Sequence, residues 1–169
     1  MPCLLLVDFV IQTRPFDSPV INIYTMPSYK GKFKPKHPSK YKGDPTNIIY
    51  RSLWERRLMS YLDDHKDILQ WSSEEFCIVY RSPVDSRLHR YFPDFWVKKR
   101  DMDGKINISV IEVKPKAQCK RPVKDPKHPR RYLKQVKTFA INEAKWEAAT
   151  NFCKDRRWQF QIMTEDNLF

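Results

Sequence analysis

The sequence predicts a mixed α/β fold, with one central sheet flanked by helices. An amphipathic helix near residues 53–64 precedes three apolar stretches of strand length, and a long helical region and a last strand follow them. Helices placed before and after the strands of one short chain favour a sheet that is covered on its faces. With 169 residues, the chain suits a single domain whose core needs no disulfides.

The first helix is predicted by a single apolar stripe. Apolar residues recur there at helical spacing: Trp54, Leu58, Tyr61 and Leu62. Strands are then expected at residues 76–80, 91–97 and 106–113, and Asp103-Gly104 is a strong hairpin signal between the last two.

The C-terminal half begins with a basic, proline-rich loop at residues 115–129. Helical periodicity follows over residues 130–155, where Asn142 can cap a second helix. A last strand at residues 158–163 alternates aromatic and glutamine side chains, and we expect it to join the sheet.

The N-terminal part divides into two segments. Residues 1–25 are apolar and would be an N-terminal extension if the chain starts at Met1; a start at Met26 is the alternative, and both stay open. Residues 26–45 are basic, with interleaved prolines and aromatics. We expect an extended arm there, because prolines exclude a helix and the segment offers little to bury. The main domain would then span residues 46–169.

The positive charge is concentrated in two blocks. The formal net charge is +12; residues 26–51 hold seven Lys or Arg against one acid, and residues 114–137 hold ten against one. Such blocks suit a phosphate backbone. A solvated basic face or an anionic membrane surface explains charge alone equally well. DNA is favoured because the second block begins at Lys114, which is a candidate active-site residue discussed below.

The cysteine and histidine spacing argues against a zinc site. The four cysteines form no C-x-x-C pair, and the four histidines show no ligand spacing. We expect reduced thiols in a soluble, intracellular protein, with Cys77 and Cys153 in the core. The apolar run at the start of the chain is too short to cross a bilayer, so no membrane association is expected.

Asp94, Glu112 and Lys114 are the strongest candidates for a functional site. Asp94 lies in RYFPDFWVKK, and the other two lie in ISVIEVKPK, at the end of an apolar run. Alternate strand residues share a face, so Glu112 and Lys114 point the same way. Two carboxylates can hold Mg²⁺, and an ammonium can orient or deprotonate water and offset negative charge. The pattern predicts metal-assisted phosphodiester hydrolysis.

The pairing of the two carboxylates stays open. The hairpin brings residue 112 near residue 94, but a shift of one residue decides whether their side chains face each other. The non-catalytic alternative is a Pro-Asp turn beside a solvated strand face with a cross-strand ion pair.

Glu55 has two interpretations that the sequence does not separate. It lies on the edge of the helical stripe, where its carboxylate can face a cleft and contribute to metal binding. Ser52-Leu-Trp-Glu55 also matches a capping box, in which the carboxylate bonds back to the Ser52 amide.

These residues resemble the PD-(D/E)xK nuclease core of restriction endonucleases and transposon-end nucleases. Over most of residues 26–169, the chain is also similar to the head completion nucleases of tailed bacteriophages of the large myovirus type. The stretches that carry this similarity are KYKGDPTNIIYRSLWERRLMSYLD, RYFPDFWVK, IEVKPK, NEAKW and FQIMTEDNL. Residues 1–25 match nothing in that pattern.

The resemblance implies a restriction-endonuclease-like core and a nuclease that acts on packaged DNA before head and tail join, in the host cytoplasm or on the virion. Asp94, Glu112 and Lys114 would be catalytic with Glu55 as a fourth member, and one or two Mg²⁺ would bind at the three carboxylates. Phosphate contacts are expected from both basic blocks: Lys34, Lys36, Lys40, Lys42, Lys116, Lys120, Arg121, Arg130 and Arg131.

Two other functions stay open. One is a structural neck or portal-binding protein of the phage head, in which the basic arm docks on an acidic partner. The other is a different DNA enzyme of the same superfamily, such as a junction resolvase or a transposon-end nuclease. Besides DNA, phage portal or neck proteins are the partners that the resemblance implies.

Overall fold

The structure is a computed structural model that describes residues 29–168. Its strands are β1 (Gly31–Phe33), β2 (Ile48–Tyr50), β3 (Ile68–Ser73), β4 (Ile78–Arg81), β5 (Leu88–Tyr91), β6 (Phe95–Arg100), β7 (Ile106–Val113) and β8 (Gln159–Met163). Its helices are α1 (Leu53–Asp64), α2 (Pro129–Asp155) and α3 (Glu165–Leu168). The extension predicted at residues 1–25 lies outside the described part.

A mixed four-stranded sheet forms the centre of the fold, in the order β3-β6-β7-β8. β6 pairs antiparallel with β3 and β7, and β8 pairs parallel with β7. The parallel pair requires a crossover, which α2 supplies. The predicted fold class is confirmed.

Each face of the sheet is covered by a helix. On one face, Leu58 and Leu62 of α1 share a buried cluster with Trp71 and Ile111. On the other face, Cys153 of α2 packs with the strand residues Trp96 and Val110. The alternation along β7 therefore sends Ile111 toward α1 and Glu112 toward the α2 side.

The hairpin predicted at Asp103-Gly104 joins β6 to β7. The Asp101 amide donates to the Lys105 carbonyl over 2.8 Å, and Gly104 takes a positive φ of 78°, which favours glycine. Phe95 pairs with Ile111, so Asp94 and Glu112 come next in the same register. This register fixes what the sequence left open.

Two predicted strands differ from the structure, and one strand of the central sheet was not predicted. Residues 76–80 do not join the central sheet, because β4 pairs with β5 in a separate two-stranded sheet. The strand predicted at 91–97 is broken between Tyr91 and Phe95, where buried Pro93 has no amide to donate. β3 was missed, because a bulge near Gln70 interrupts its alternation.

α2 is one continuous helix, so the predicted cap of a second helix at Asn142 is wrong. Residues 130–155 contain neither glycine nor proline, and nothing stops the helix. Asn142 is buried on the inner side of α2 instead. Cys153 is in the core as predicted, whereas Cys77 is exposed and that prediction is wrong.

The extended arm is also a correction, within its described residues 29–45. β1 pairs with β2, and Tyr41 is 7% exposed, with its ring 4.8 Å from that of Trp71. Buried Asp63 accepts the backbone amides of Lys36 and His37. The prolines exclude an α-helix as expected, but the interleaved aromatics provide enough burial to fold this segment onto the domain.

No helix within residues 29–168 is both long and apolar enough to span a membrane.

Candidate active site

Asp94, Glu112 and Lys114 meet where β7 ends and β6 begins. The Val113 amide donates to Oδ2 of Asp94 over 2.7 Å, which ties the residue before β6 to the end of β7. Nζ of Lys114 lies 2.8 Å from Oε1 of Glu112. The structure therefore brings together the three residues that the sequence singled out. Their arrangement also excludes a merely solvated face, because Glu112 is only 3% exposed.

The pKa values in this cluster are shifted because the carboxylates of Asp94 and Glu112 lie close together and are buried. Burial and the nearby Glu112 carboxylate raise the pKa of Asp94 to about 7. Burial by itself lowers the pKa of Lys114, but the carboxylates of Glu112 and Asp94 outweigh it, so that pKa is raised. Lys114 is therefore an ammonium, and of the two roles that the sequence allowed, orienting water and offsetting charge fits better than removing a proton.

Tyr91 is a site residue that sequence reasoning missed. Its hydroxyl donates to Oε2 of Glu112 over 2.5 Å, and the residue is 4% exposed. Burial and the Glu112 carboxylate raise the pKa of Tyr91, so the hydroxyl keeps its proton. The only sequence signal was a hydroxyl-bearing aromatic just before Pro93-Asp94. Nothing in that spacing indicates a bond to residue 112.

Glu55 forms one half of the predicted capping box and also lies beside the cluster. The Glu55 amide donates to Oγ of Ser52 over 3.1 Å, and its carboxylate accepts the Ser52 hydroxyl and the Arg51 amide, both at 2.8 Å. The return bond thus goes to Arg51 and not to the Ser52 amide. Glu55 also helps to raise the pKa of Asp94 and of Lys114, so it is near enough to act on both.

The donor set fits a hard divalent cation. Only Oδ2 of Asp94 has a hydrogen-bond partner in the described chain, so Oδ1 is open, and each carboxylate oxygen of Glu112 and Glu55 can accept a second contact. A cation at these carboxylates would also relieve the repulsion that raises the pKa of Asp94. Oxygen donors of this kind suit Mg²⁺.

A second acidic cluster does not belong to this site. His37, Asp63 and Asp64 lie close together, but at the C-terminal end of α1, and Glu55 is in its first turn. The Asp63 carboxylate already accepts two backbone amides, and the Lys36 ammonium donates to both oxygens of Asp64. The cluster attaches residues 36 and 37 to α1.

The basic residues predicted to contact DNA differ in what they contact in the structure. The ammonium groups of Lys36, Lys40 and Lys116 bond to Asp64, to the carbonyls of Asp63 and His65, and to Asp166, respectively, and their DNA contacts stay predictions. Lys42 lies over the Trp96 ring, 4.4 Å from its centroid. The remaining five are exposed and have no ion-pair partner within residues 29–168: Lys34, Lys120, Arg121, Arg130 and Arg131.

Comparison with known proteins agrees with this geometry. Residues 65–165 match the family model described as "TnsA-like endonuclease N terminal". The chain is also 38% identical over 146 residues to the head completion nuclease of Enterobacteria phage T4, covering 83% of this chain and 94% of that protein. Both matches are to nucleases. The chain therefore belongs to the TnsA-like endonuclease family of PD-(D/E)xK nucleases.

Proposed function

We propose that this nuclease is a Mg²⁺-dependent deoxyribonuclease that acts on packaged DNA during phage head completion. The observation that carries the chemistry is the buried contact of Glu112 with Lys114, beside an Asp94 held by the Val113 amide. The biological setting is supported by the similarity to the phage T4 protein, which extends over nearly the whole length of that relative.

Asp94 and Glu112 would hold the metal, with Glu55 as a further ligand directly or through water. When bound, Mg²⁺ supplies Lewis-acid polarisation of a phosphoryl oxygen and lowers the pKa of a water molecule. Because Glu112 shares Oε1 with Lys114, the ammonium is held next to the place where water and phosphate must meet.

The protein groups around the metal site position the reacting groups. Lys114 donates hydrogen bonds to the attacking water or to the phosphate and offsets the negative charge that grows in the transition state. The Tyr91 hydroxyl donates to Glu112 and the Val113 amide donates to Asp94, so both carboxylates are already oriented before substrate binds. Lys120, Arg121, Arg130 and Arg131 would bind flanking phosphates without reading sequence.

A cleavage assay tests the chemistry. Purified protein is incubated with supercoiled circular DNA and with linear duplex, with Mg²⁺ or with EDTA. We expect cleavage only with Mg²⁺ and none by Asp94→Asn, which removes one metal-binding charge from a near-isosteric side chain. Cutting of the circle shows endonuclease action, and cutting of the linear form alone shows exonuclease action. Equal cleavage in EDTA would refute metal dependence.

Head completion is tested in a phage that encodes this chain. When Asp94→Asn replaces the wild type, we expect filled heads that fail to join tails, because the protein is present but cannot cut. Normal joining with the Asn variant would show a structural neck role instead. A transposon-end or junction activity predicts cleavage restricted to a specific end sequence or to branched DNA, so both are included as substrates.

A further inference from the structure

α2 places a lysine without an ion-pair partner beside the candidate active site. Nζ of Lys145 lies 5.5 Å from the ring centroid of Tyr91 and 5.7 Å from that of Tyr80. Tyr91 is the residue whose hydroxyl holds Glu112. Within residues 29–168, no carboxylate lies within ion-pair distance of Lys145. Its ammonium is thus held against two aromatic rings with its N–H donors available to a ligand.

Asn142 lies one turn before Lys145 and is also unpartnered. It is 7% exposed, and its side-chain amide has no hydrogen bond to any described residue. Asn142, Ala149 and Cys153 are the buried residues of α2, at a spacing that puts them on one line along the helix. Cys153 packs on Val110 of β7, so this line faces the sheet.

The direction of α2 places Asn142 toward the site. β7 and β8 are parallel, so α2, which connects them, runs back along the sheet from the C-terminal end of β7. Going from Cys153 toward the start of α2 therefore leads toward Lys114. Asn142 is about 16 Å from Cys153 along the helix axis, at 1.5 Å per residue. Because Cys153 packs beside Val110, this distance places Asn142 past the C-terminal end of β7 at Val113.

Both residues belong to the stretch NEAKW, to which the catalytic cluster assigns no role. An ammonium and a side-chain amide without partners in the described chain both offer N–H donors to a ligand. A ligand rich in oxygen acceptors would satisfy both. Next to a nuclease centre, the ligand of that chemistry is the phosphodiester backbone.

We propose that Lys145 and Asn142 bind a DNA phosphate that neighbours the one cleaved. This inference rests on the proposed deoxyribonuclease function. Lys145 would act as a point charge on the phosphate, and it lies over the ring of the tyrosine whose hydroxyl bonds to Glu112. The contact orients the strand across the carboxylates, so Lys145 and Asn142 are substrate-binding residues of α2, distinct from the metal-binding set.

The binding test uses the full chain with Asp94→Asn, so that DNA stays intact. Affinity for a short duplex is measured by fluorescence anisotropy between about 50 and 200 mM salt. Adding Lys145→Gln should weaken binding and reduce the log–log salt slope by about 0.9, the value for one lost phosphate contact. Lys145→Arg should retain the slope. The matched control is Lys154→Gln, an exposed lysine in the last turn of α2, which should change neither quantity.

Single-turnover cleavage is then compared in the catalytically intact chain. Lys145→Gln should slow cleavage about tenfold or more, in line with the loss of a charged hydrogen bond to substrate. Lys145→Arg should recover most of the rate, because it keeps the positive charge. A Lys145→Gln enzyme with wild-type salt slope and rate would overturn the proposal.

Asn142→Leu gives an independent readout. Replacing this amide, which has no hydrogen bond to a described residue, should change the thermal midpoint little while weakening DNA binding in the Asp94→Asn background. A variant that is equally stable and binds DNA like its parent would remove Asn142 from the proposal. If the wild type cuts no DNA, the proposed function fails, and an unchanged salt slope for Lys145→Gln is the separate result that rejects the phosphate contact.

Discussion

The Tyr91 hydroxyl and the Lys114 ammonium hold opposite oxygens of the same buried carboxylate, that of Glu112. Tyr91 donates to Oε2 over 2.5 Å, and Lys114 lies 2.8 Å from Oε1. Because both oxygens are restrained, the side chain has one orientation before any ligand arrives. Tyr91 is thus a positioning residue for Glu112, in the way that outer-shell partners orient metal ligands.

Tyr91→Phe removes this restraint and keeps the ring. We expect metal affinity or the cleavage rate to fall about 10- to 100-fold, the usual effect of losing an outer-shell partner. Mg²⁺ affinity is measured by calorimetric titration and the rate by single-turnover cleavage. Tyr80→Phe is the matched control, since Tyr80 is also buried but its hydroxyl has no hydrogen bond to a described residue. Equal behaviour of the two variants would argue against positioning by Tyr91.

Asp94→Asn should stabilise the metal-free protein at neutral and alkaline pH. The folded pKa of Asp94, about 7, is above the unfolded value of about 3.9. Between these values the folded state holds a proton that the unfolded chain releases, so the wild type loses stability as pH rises. The thermal midpoint of Asp94→Asn in EDTA should exceed that of the wild type by more at pH 8 than at pH 5. Added Mg²⁺ should reverse the order at pH 8.

Glu55→Gln separates the capping role from the metal-binding role. A glutamine oxygen can still accept the Arg51 amide or the Ser52 hydroxyl, so unfolding free energy should change by less than about 1 kcal/mol. We expect cleavage to fall because the negative charge facing Asp94 and Lys114 is lost. Urea denaturation gives the stability and the cleavage assay gives the rate. Full activity would leave Glu55 as a cap alone.

Asp63→Ala should destabilise the fold by about 1–3 kcal/mol, because it leaves the Lys36 and His37 amides without their acceptor. Asp64→Ala is the control, since it removes only the exposed pair with Lys36 and should change stability by less than about 1 kcal/mol. Urea midpoints of the two variants are compared. Equal small effects would mean that residues 29–45 are held by their aromatics and not by Asp63.

The sequence determined the elements that depend on local periodicity and turn chemistry. α1 begins and ends where its apolar stripe predicts. The Asp103-Gly104 hairpin forms because glycine has no Cβ and adopts the positive φ of Gly104 without steric cost. The sequence also singled out the candidate site residues, because Glu112 and Lys114 follow an apolar run and Asp94 belongs to a separate Pro-Asp upstream. The capping box at Ser52 and Glu55 follows from the same short-range logic.

The tertiary structure decided what depends on partners far away along the chain. The register of β6 and β7 placed Asp94 next to Glu112, a choice that one residue of slippage would reverse. Tyr91 reaches Glu112 only because the chain breaks at Pro93 and β5 turns away from the sheet. The basic N-terminal segment folds on the domain because Tyr41 packs against Trp71 and Asp63 accepts the backbone amides of Lys36 and His37. Such long-range contacts have no local sequence signal, since burial and pairing energies depend on residues that come together only after folding.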